Sequence, residues 1–323
     1  MPQGDQVKNG KAFEYAIAKQ YCDFVNNHDA KAEILEDEAY NVAKGFYEEF
    51  SNELQNKYDN AAKQTIDTIV KIEPGILSAR NNNSILHIKL MKDSTGESGD
   101  VRDVVFSRTQ PAWEIGFSAK NNNDAVKHSR LSHVLDFGKE WLDIPCSDTY
   151  WADITPIFDI ITELKANGIE EWNEMGSEKQ TRIYIPLLAA FKKELLHINE
   201  TNQDVPAKLI SYLIGKYPFY KIIKDDSHNL VIVKAFNING KLNKTVNRRK
   251  PRYKVPAINL PTRIVEFQMK QDSKDTLNMI LDGGWEISFR LHNAATRLEK
   301  SLKFDIRLLG NPPILFTQHL FQD

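Results

Sequence analysis

The stretch Gly99-Asp100-Val101-Arg102-Asp103-Val104-Val105-Phe106, followed after a short break by Trp113-Glu114-Ile115-Gly116-Phe117-Ser118-Ala119-Lys120, decides how the rest of the chain is read. In the second run Trp113, Ile115, Phe117 and Ala119 point one way and Glu114, Gly116, Ser118 and Lys120 the other, the period of two of a half-buried strand. Thr109-Gln110-Pro111-Ala112 reads as the turn between the runs, because proline fixes φ and ends a strand. A hairpin centred between Gln110 and Pro111 sets Asp103 directly opposite Ser118, with Lys120 one pleat away on the same face. A carboxylate and a lysine so placed can hold a divalent cation against a phosphate.

Toward the N-terminus, Phe13, Ile17, Tyr21 and Phe24-Val25 recur at helical spacing and predict an amphipathic helix over Lys11 to Val25. Glu14 stands near its start, where a carboxylate also suits the helix dipole. A second helical block is expected from about Ala30 to Val70, with Ile34, Leu35, Ala39, Val42, Phe46 and Phe50 on one stripe. Ile85 to Met91 reads as a strand. Beyond Lys120, the cluster Asn121-Asn122-Asn123-Asp124 is expected to cap a helix running toward Trp141-Leu142. Its N-terminus would favour anions, with Asn121, Lys127, His128 and Arg130 as DNA contacts.

From Tyr150 to Tyr217 the pattern is helical, and at Pro218 it changes to short strands broken by Asp-Asp-Ser and Asn-Gly turns. The expected organisation is α+β: a helix-rich part over 1–216 carrying the hairpin 99–120, then a β-rich part over 217–323. Within the latter, Lys241 to Lys254 holds seven basic residues in fourteen and no acidic one, among them Arg248, Arg249 and Arg252. In a chain of net charge -2 that is a local footprint for a polyanion. Gly283-Gly284-Trp285 introduces a strand with Ile287, Phe289 and Leu291 on a core face. Glu286, Ser288, Arg290 and His292 lie on the other face, so Trp285, Arg290 and His292 join the expected DNA contacts.

The 323 residues are 41% hydrophobic and 27% charged, a globular rather than a disordered profile. Two cysteines, Cys22 and Cys146, are too few for a disulfide framework or a zinc site. No apolar run reaches the ~18 residues of a membrane span, and Met1 to Gln6 lacks a signal-peptide core. A soluble cytoplasmic protein is expected.

Phosphodiester hydrolysis needs an activated water, a cation on the developing charge and an oriented phosphate. Asp103 is the best direct metal ligand, the Ala119 carbonyl a second, and Mg²⁺ the cation that such a sparse oxygen set suits. Lys120 would orient the attacking water and offset phosphate charge. Ser118 stands where an acid would serve best. Glu114 lies about 20 Å from Lys120 along an extended strand, so Glu14 is favoured as the compensating carboxylate, with Glu114 and Asp100 as its rivals.

An aspartate on one hairpin strand followed by Ser118-Ala119-Lys120 on the next resembles a degenerate form of the PD-(D/E)xK nuclease motif. Longer text carries a closer likeness: Asn9-Gly10-Lys11-Ala12-Phe13-Glu14, Gly99 to Val105, Trp113 through Ser132, Gly284 to Ala294 and Ser301 to Asp305 resemble HaeIII-type restriction endonucleases. The resemblance implies a restriction-endonuclease-like mixed sheet flanked by helices, with a β-rich C-terminal DNA-binding part. It also implies Mg²⁺-dependent double-strand cleavage at GGCC with blunt ends, in a bacterial cytoplasm, alongside a cognate cytosine methyltransferase. Asp103 and Lys120 would be the catalytic core and Glu14 the helix carboxylate. Cutting a palindrome suits a homodimer on DNA, though a monomer acting sequentially remains open. The alternatives are a repair or junction-resolving nuclease of the same superfamily, and a DNA-binding protein with an inactive hairpin.

Overall fold

The structure, a computed structural model, describes residues 3–78, 84–92, 99–122, 124, 126 and 129–321, with only the backbone of residues 3–5. In chain order the elements are α1 (Gln3–Asn26), β1 (Lys31–Ile34), α2 (Glu38–Glu49), α3 (Asn52–Ile72), β2 (Ile85–Leu90), β3 (Val104–Thr109), β4 (Ala112–Asn121) and β5 (Arg130–Ser132). They continue with α4 (Asp148–Ala166), α5 (Ile185–Thr201), α6 (Val205–Ile214), β6 (Phe219–Asp225), β7 (Leu230–Phe236), β8 (Ile264–Met269), β9 (Thr276–Leu281), β10 (Glu286–Asn293), β11 (Ser301–Gly310) and β12 (Phe316–Phe321). Among the described residues no helix is long and apolar enough to cross a membrane.

Two compact units divide the chain: residues 1–124, 215–259 and 314–323 form one, and 125–214 with 260–313 form the other. They are therefore not the contiguous 1–216 and 217–323 expected. The physical reason is strand pairing: β6 lies parallel to β4, which draws the segment after residue 216 back into the sheet of the hairpin. Parallel neighbours need a crossover connection, and the crossover here is the whole of 125–214.

In the first unit the strands run in the order β1-β2-β3-β4-β6-β7-β12, with β1/β2 and β4/β6 parallel and the other pairs antiparallel. Helix α1 turns Ala12, Phe13, Ala16, Ile17, Tyr21 and Val25 into the core against Phe106, Ile115, Phe117 and Ala119. That is the apolar stripe its spacing predicted. The Tyr21 ring stands 5.1 Å from Phe106 and 5.6 Å from Phe117, centroid to centroid. The hairpin has the expected register, Val104 opposite Phe117 and Phe106 opposite Ile115. The block over 30–70 differs at its start. Lys31 to Ile34 form a strand paired with Ile85 to Ile88, and Asp37 caps α2 by accepting from the Tyr40 N–H. Helix α2 then buries Tyr40, Ala43 and Tyr47 and leaves Val42 exposed, because the strand before it shifts the phase of the stripe.

On the hairpin face away from α1, Arg102 lies flat across Gly116. Its guanidinium holds Asp100 through Nε (2.8 Å) and Nη2 (2.7 Å) and Glu114 through Nη1 (2.6 Å), and it stacks 4.5 Å above the Tyr217 ring.

The second unit carries the order β5-β11-β10-β9-β8, all antiparallel. Its core is aromatic, with Phe137, Trp141, Phe191, Phe289 and Phe304 in mutual edge or tilted contacts. Strand β10 pairs antiparallel with β11, Phe289 opposite Ile306.

A Cβ at position 116 would overlap Cδ and Cγ of Arg102, whose head is fixed by three ionic hydrogen bonds. Gly116→Ala is therefore expected to destabilise the protein by about 1–3 kcal/mol, the usual cost of overpacking, as read by denaturant titration. An unchanged midpoint would mean that Arg102 gives way freely.

Candidate active site

Beyond the Val104 end of β3, β4 continues for four more residues, and Asp103 sits at that step. Its backbone is fixed on both sides: the Met91 N–H donates to its carbonyl at 2.9 Å and its own N–H donates to Phe117 O at 2.7 Å. One carboxylate oxygen, Oδ2, then accepts from Ser118 Oγ at 3.1 Å, from the Ala119 N–H at 2.7 Å and from Lys120 Nζ at 3.3 Å. Asp103 and Lys120 thus meet at one edge, as the register required. Ser118 is buried and acts as a donor that orients the aspartate. In an extended strand a residue's N–H and C=O leave on the same side, so the Ala119 carbonyl faces the edge where its N–H meets Asp103.

Glu14 is buried on α1 and accepts from Lys11 Nζ at 3.0 Å. Burial, and then the nearby Asp103 carboxylate, push its carboxyl up to about 8, while Lys11 and Lys120 pull the other way. The two rival acids are occupied elsewhere, since Asp100 and Glu114 are both bound to Arg102. Glu14 is therefore the carboxylate that shares a field with Asp103. Among the described residues no group of three or more His, Cys, Asp or Glu side chains converges as a metal site. Glu14 feels the Asp103 charge, and two carboxylates with a backbone carbonyl are oxygen donors of the kind that suits Mg²⁺ better than a softer metal.

Several polar residues around this edge were not singled out from the sequence. Lys221 on β6 pairs with Ser118 and is buried, with its ammonium 2.5 Å from Asp124 Oδ1. Lys234 on β7 pairs with Lys221 and reaches Asp124 Oδ2 at 2.6 Å. Burial pushes the Lys221 ammonium down to about 8. The one signal available was a lysine inside the otherwise apolar run Tyr220-Lys221-Ile222-Ile223.

The expected helix does not start after Lys120 among the described residues: Asn122, Asp124, Val126 and Ser129 are non-helical, Arg130 begins β5, and only a short π-helical turn, Gly138–Leu142, forms at the expected far end. An anion site at a helix N-terminus is thereby removed. The asparagines serve the sheet instead, since Asn122 exchanges hydrogen bonds with Asp226 (2.6 and 2.8 Å). Asn121 ends β4, and among the described residues its buried Oδ1 has no hydrogen-bond partner. Lys127 and His128 lie outside the described residues. In the second unit Arg130, Arg290 and His292 lie on the sheet face away from the core. Arg130 donates to Ser301 Oγ, Arg290 pairs with Asp275 at 3.5 Å, and His292 Nδ1 lies 2.9 Å from Asn293 O. Trp285 is fully buried and cannot contact DNA; its indole is a core element after the Gly283-Gly284 turn. Arg248, Arg249 and Arg252 are exposed in the first unit.

The model of the HaeIII restriction endonuclease family matches residues 10–312. The type II restriction enzyme HaeIII of Haemophilus aegyptius is 39% identical over 305 residues, covering 94% of each chain. No solved structure matches the chain.

A carboxyl whose folded pKa is raised keeps its proton more tightly in the folded than in the unfolded state. The metal-free protein should therefore lose stability as pH climbs from about 4.5 to about 8 and the unfolded chain alone ionises Glu14. Glu14→Gln is expected to flatten that part of a Tm-against-pH profile and to raise Tm at its alkaline end. A variant profile parallel to the wild type would mean that Glu14 does not titrate there.

Proposed function

The chain belongs to the HaeIII restriction endonuclease family, and from that premise we propose that it cuts double-stranded DNA at GGCC, leaving blunt ends, by Mg²⁺-assisted hydrolysis at Asp103 and Lys120. The observation that carries the site assignment is the 3.3 Å approach of Lys120 Nζ to Asp103 Oδ2 at the open edge of β4. Mg²⁺ would be held by Asp103, Glu14 and the Ala119 carbonyl, and when bound it supplies Lewis-acid stabilisation of the charge that develops on the scissile phosphate.

The chain's own residues do the rest. Ser118 and the Ala119 N–H keep Asp103 in one orientation, so little reorganisation is needed when substrate arrives. Lys120 orients the attacking water and offsets phosphate charge. Its bond to Asp103 is partly exposed, so the ammonium can turn to an incoming phosphate without leaving a buried charge behind. Glu14, whose carboxyl is raised by burial, would have to be ionised to serve as a ligand. The exposed basic segment 241–254 and the face of Arg130, Arg290 and His292 supply contacts to the duplex. A palindromic blunt cut calls for two symmetric strand breaks, which a homodimer on DNA would provide. Such an activity in a bacterial cytoplasm requires a cognate cytosine methyltransferase to shield host sites.

Unmethylated phage DNA incubated with Mg²⁺ is expected to yield fragments whose sequenced ends all derive from GG and CC halves. Ends at any other sequence would remove the specificity. Lys120→Ala and Asp103→Ala should each lower the cleavage rate at least about a hundredfold, as for loss of a positioned acid–base or charge-stabilising group, while duplex binding changes little. Full activity in either variant would remove the site.

A further inference from the structure

The basic stretch 241–254 is an ordered loop of the first unit. Leu242, Val246 and Val255 are buried, and every one of its seven basic side chains is exposed. Its backbone is tied to the end of α3 and the turn that follows. The Asn243 N–H donates to Glu73 Oε1 at 2.6 Å and Asn243 Nδ2 to Ile72 O at 2.8 Å, while the Arg252 N–H donates to Lys71 O at 2.7 Å. Ser78 Oγ donates to Val246 O, and Asn247 Nδ2 to Ser78 O.

Between these ties the chain makes a two-residue turn. Val246 and Arg249 exchange both backbone hydrogen bonds, at 3.0 and 2.9 Å, and the residues between them, Asn247 and Arg248, have φ of 48° and 67°. A tight turn with both central residues left-handed is the one for which Asn-Gly is strongly preferred, because a Cβ at the second position is disfavoured. This chain follows that rule a few residues earlier, at Asn239-Gly240, where φ is 62° and 61°. At the second turn an arginine stands where glycine would be free of strain. Arg249 beside it reaches back to Leu77 O at 3.2 Å. Arg248 is exposed, and among the described residues its side chain has no hydrogen bond, ion pair or ring contact.

Strained backbone at an unpartnered side chain marks a place where the side chain itself is used. A phosphate could be met by any of the six neighbouring cations without that strain. A hairpin tip fits the major groove, about 12 Å wide, and the guanidinium fork matches the O6 and N7 of guanine. We propose that Arg248, at the apex of the 246–249 hairpin, is a specificity-determining residue that enters the major groove and binds a guanine of the site through O6 and N7. This rests on the reading of the protein as a nuclease that cuts GGCC.

The test uses duplexes with one GGCC site, unmodified or carrying 7-deazaguanine at the first or second guanine, which removes only the N7 acceptor. Wild type should cut one of the two modified duplexes about tenfold or more slowly. Arg248→Ala and Arg248→Gly should cut the unmodified duplex about tenfold to a hundredfold more slowly and show no further loss on that same modified duplex. Arg248→Gly should also melt no lower than wild type, since it relieves the turn. Variants that cut at the wild-type rate, or whose losses simply multiply with the 7-deazaguanine effect on both duplexes, would overturn the assignment and leave Arg248 as a phosphate contact. Wild type failing to cut GGCC at all would remove the parent reading together with this one.

Discussion

Three donors converge on a single oxygen, Oδ2 of Asp103, and the geometry of the nuclease edge follows from that convergence. Two of the donors, Ser118 Oγ and the Ala119 N–H, are buried protein groups and cannot leave. The third, the Lys120 ammonium, is partly exposed and can. A charge-assisted bond to an ammonium is strong where water is excluded and weak where it is not. The aspartate is thus fixed by its fixed partners and only loosely paired with the one group that the chemistry has to release.

Around that oxygen the sheet distributes charge unevenly. Arg102 binds two carboxylates, Asp100 and Glu114, and offsets one of them. Asp124 binds two ammoniums, Lys221 and Lys234, and offsets one of them. Burial, ahead of the Asp103 charge, raises the Glu14 carboxyl, and Lys11 and Lys120 pull against it.

How much of this could be read from the sequence depended on whether the signal was local. The hairpin register was legible because Pro111 marks the turn and the Trp113 to Lys120 alternation admits one pairing that buries Phe117 and Ala119 together. The convergence of Asp103, Ser118 and Lys120 came with it. Trp285 was misjudged as a DNA contact because neighbouring glycines can mark either a close approach or an ordinary turn, and only tertiary burial distinguishes them. The helix expected after Lys120 failed because Asn122 found its partner in the turn after β6 and Asp124 found its partners on β6 and β7, across about a hundred residues of chain. Lys221 was missed for the same reason: its place beside Ser118 is set by a parallel pairing that no short window contains. The bounds of the two units were hidden by that pairing as well.

The same connectivity bears on how the protein comes to be folded. The unit that holds Asp103 and Lys120 begins with α1 and includes β12, which pairs with β7, so its sheet gathers strands far apart in the chain. Contacts of such long range form slowly, because loop closure must precede any gain from pairing. During synthesis the β3–β4 hairpin would be complete well before β6, β7 and β12 could join the sheet that supports it.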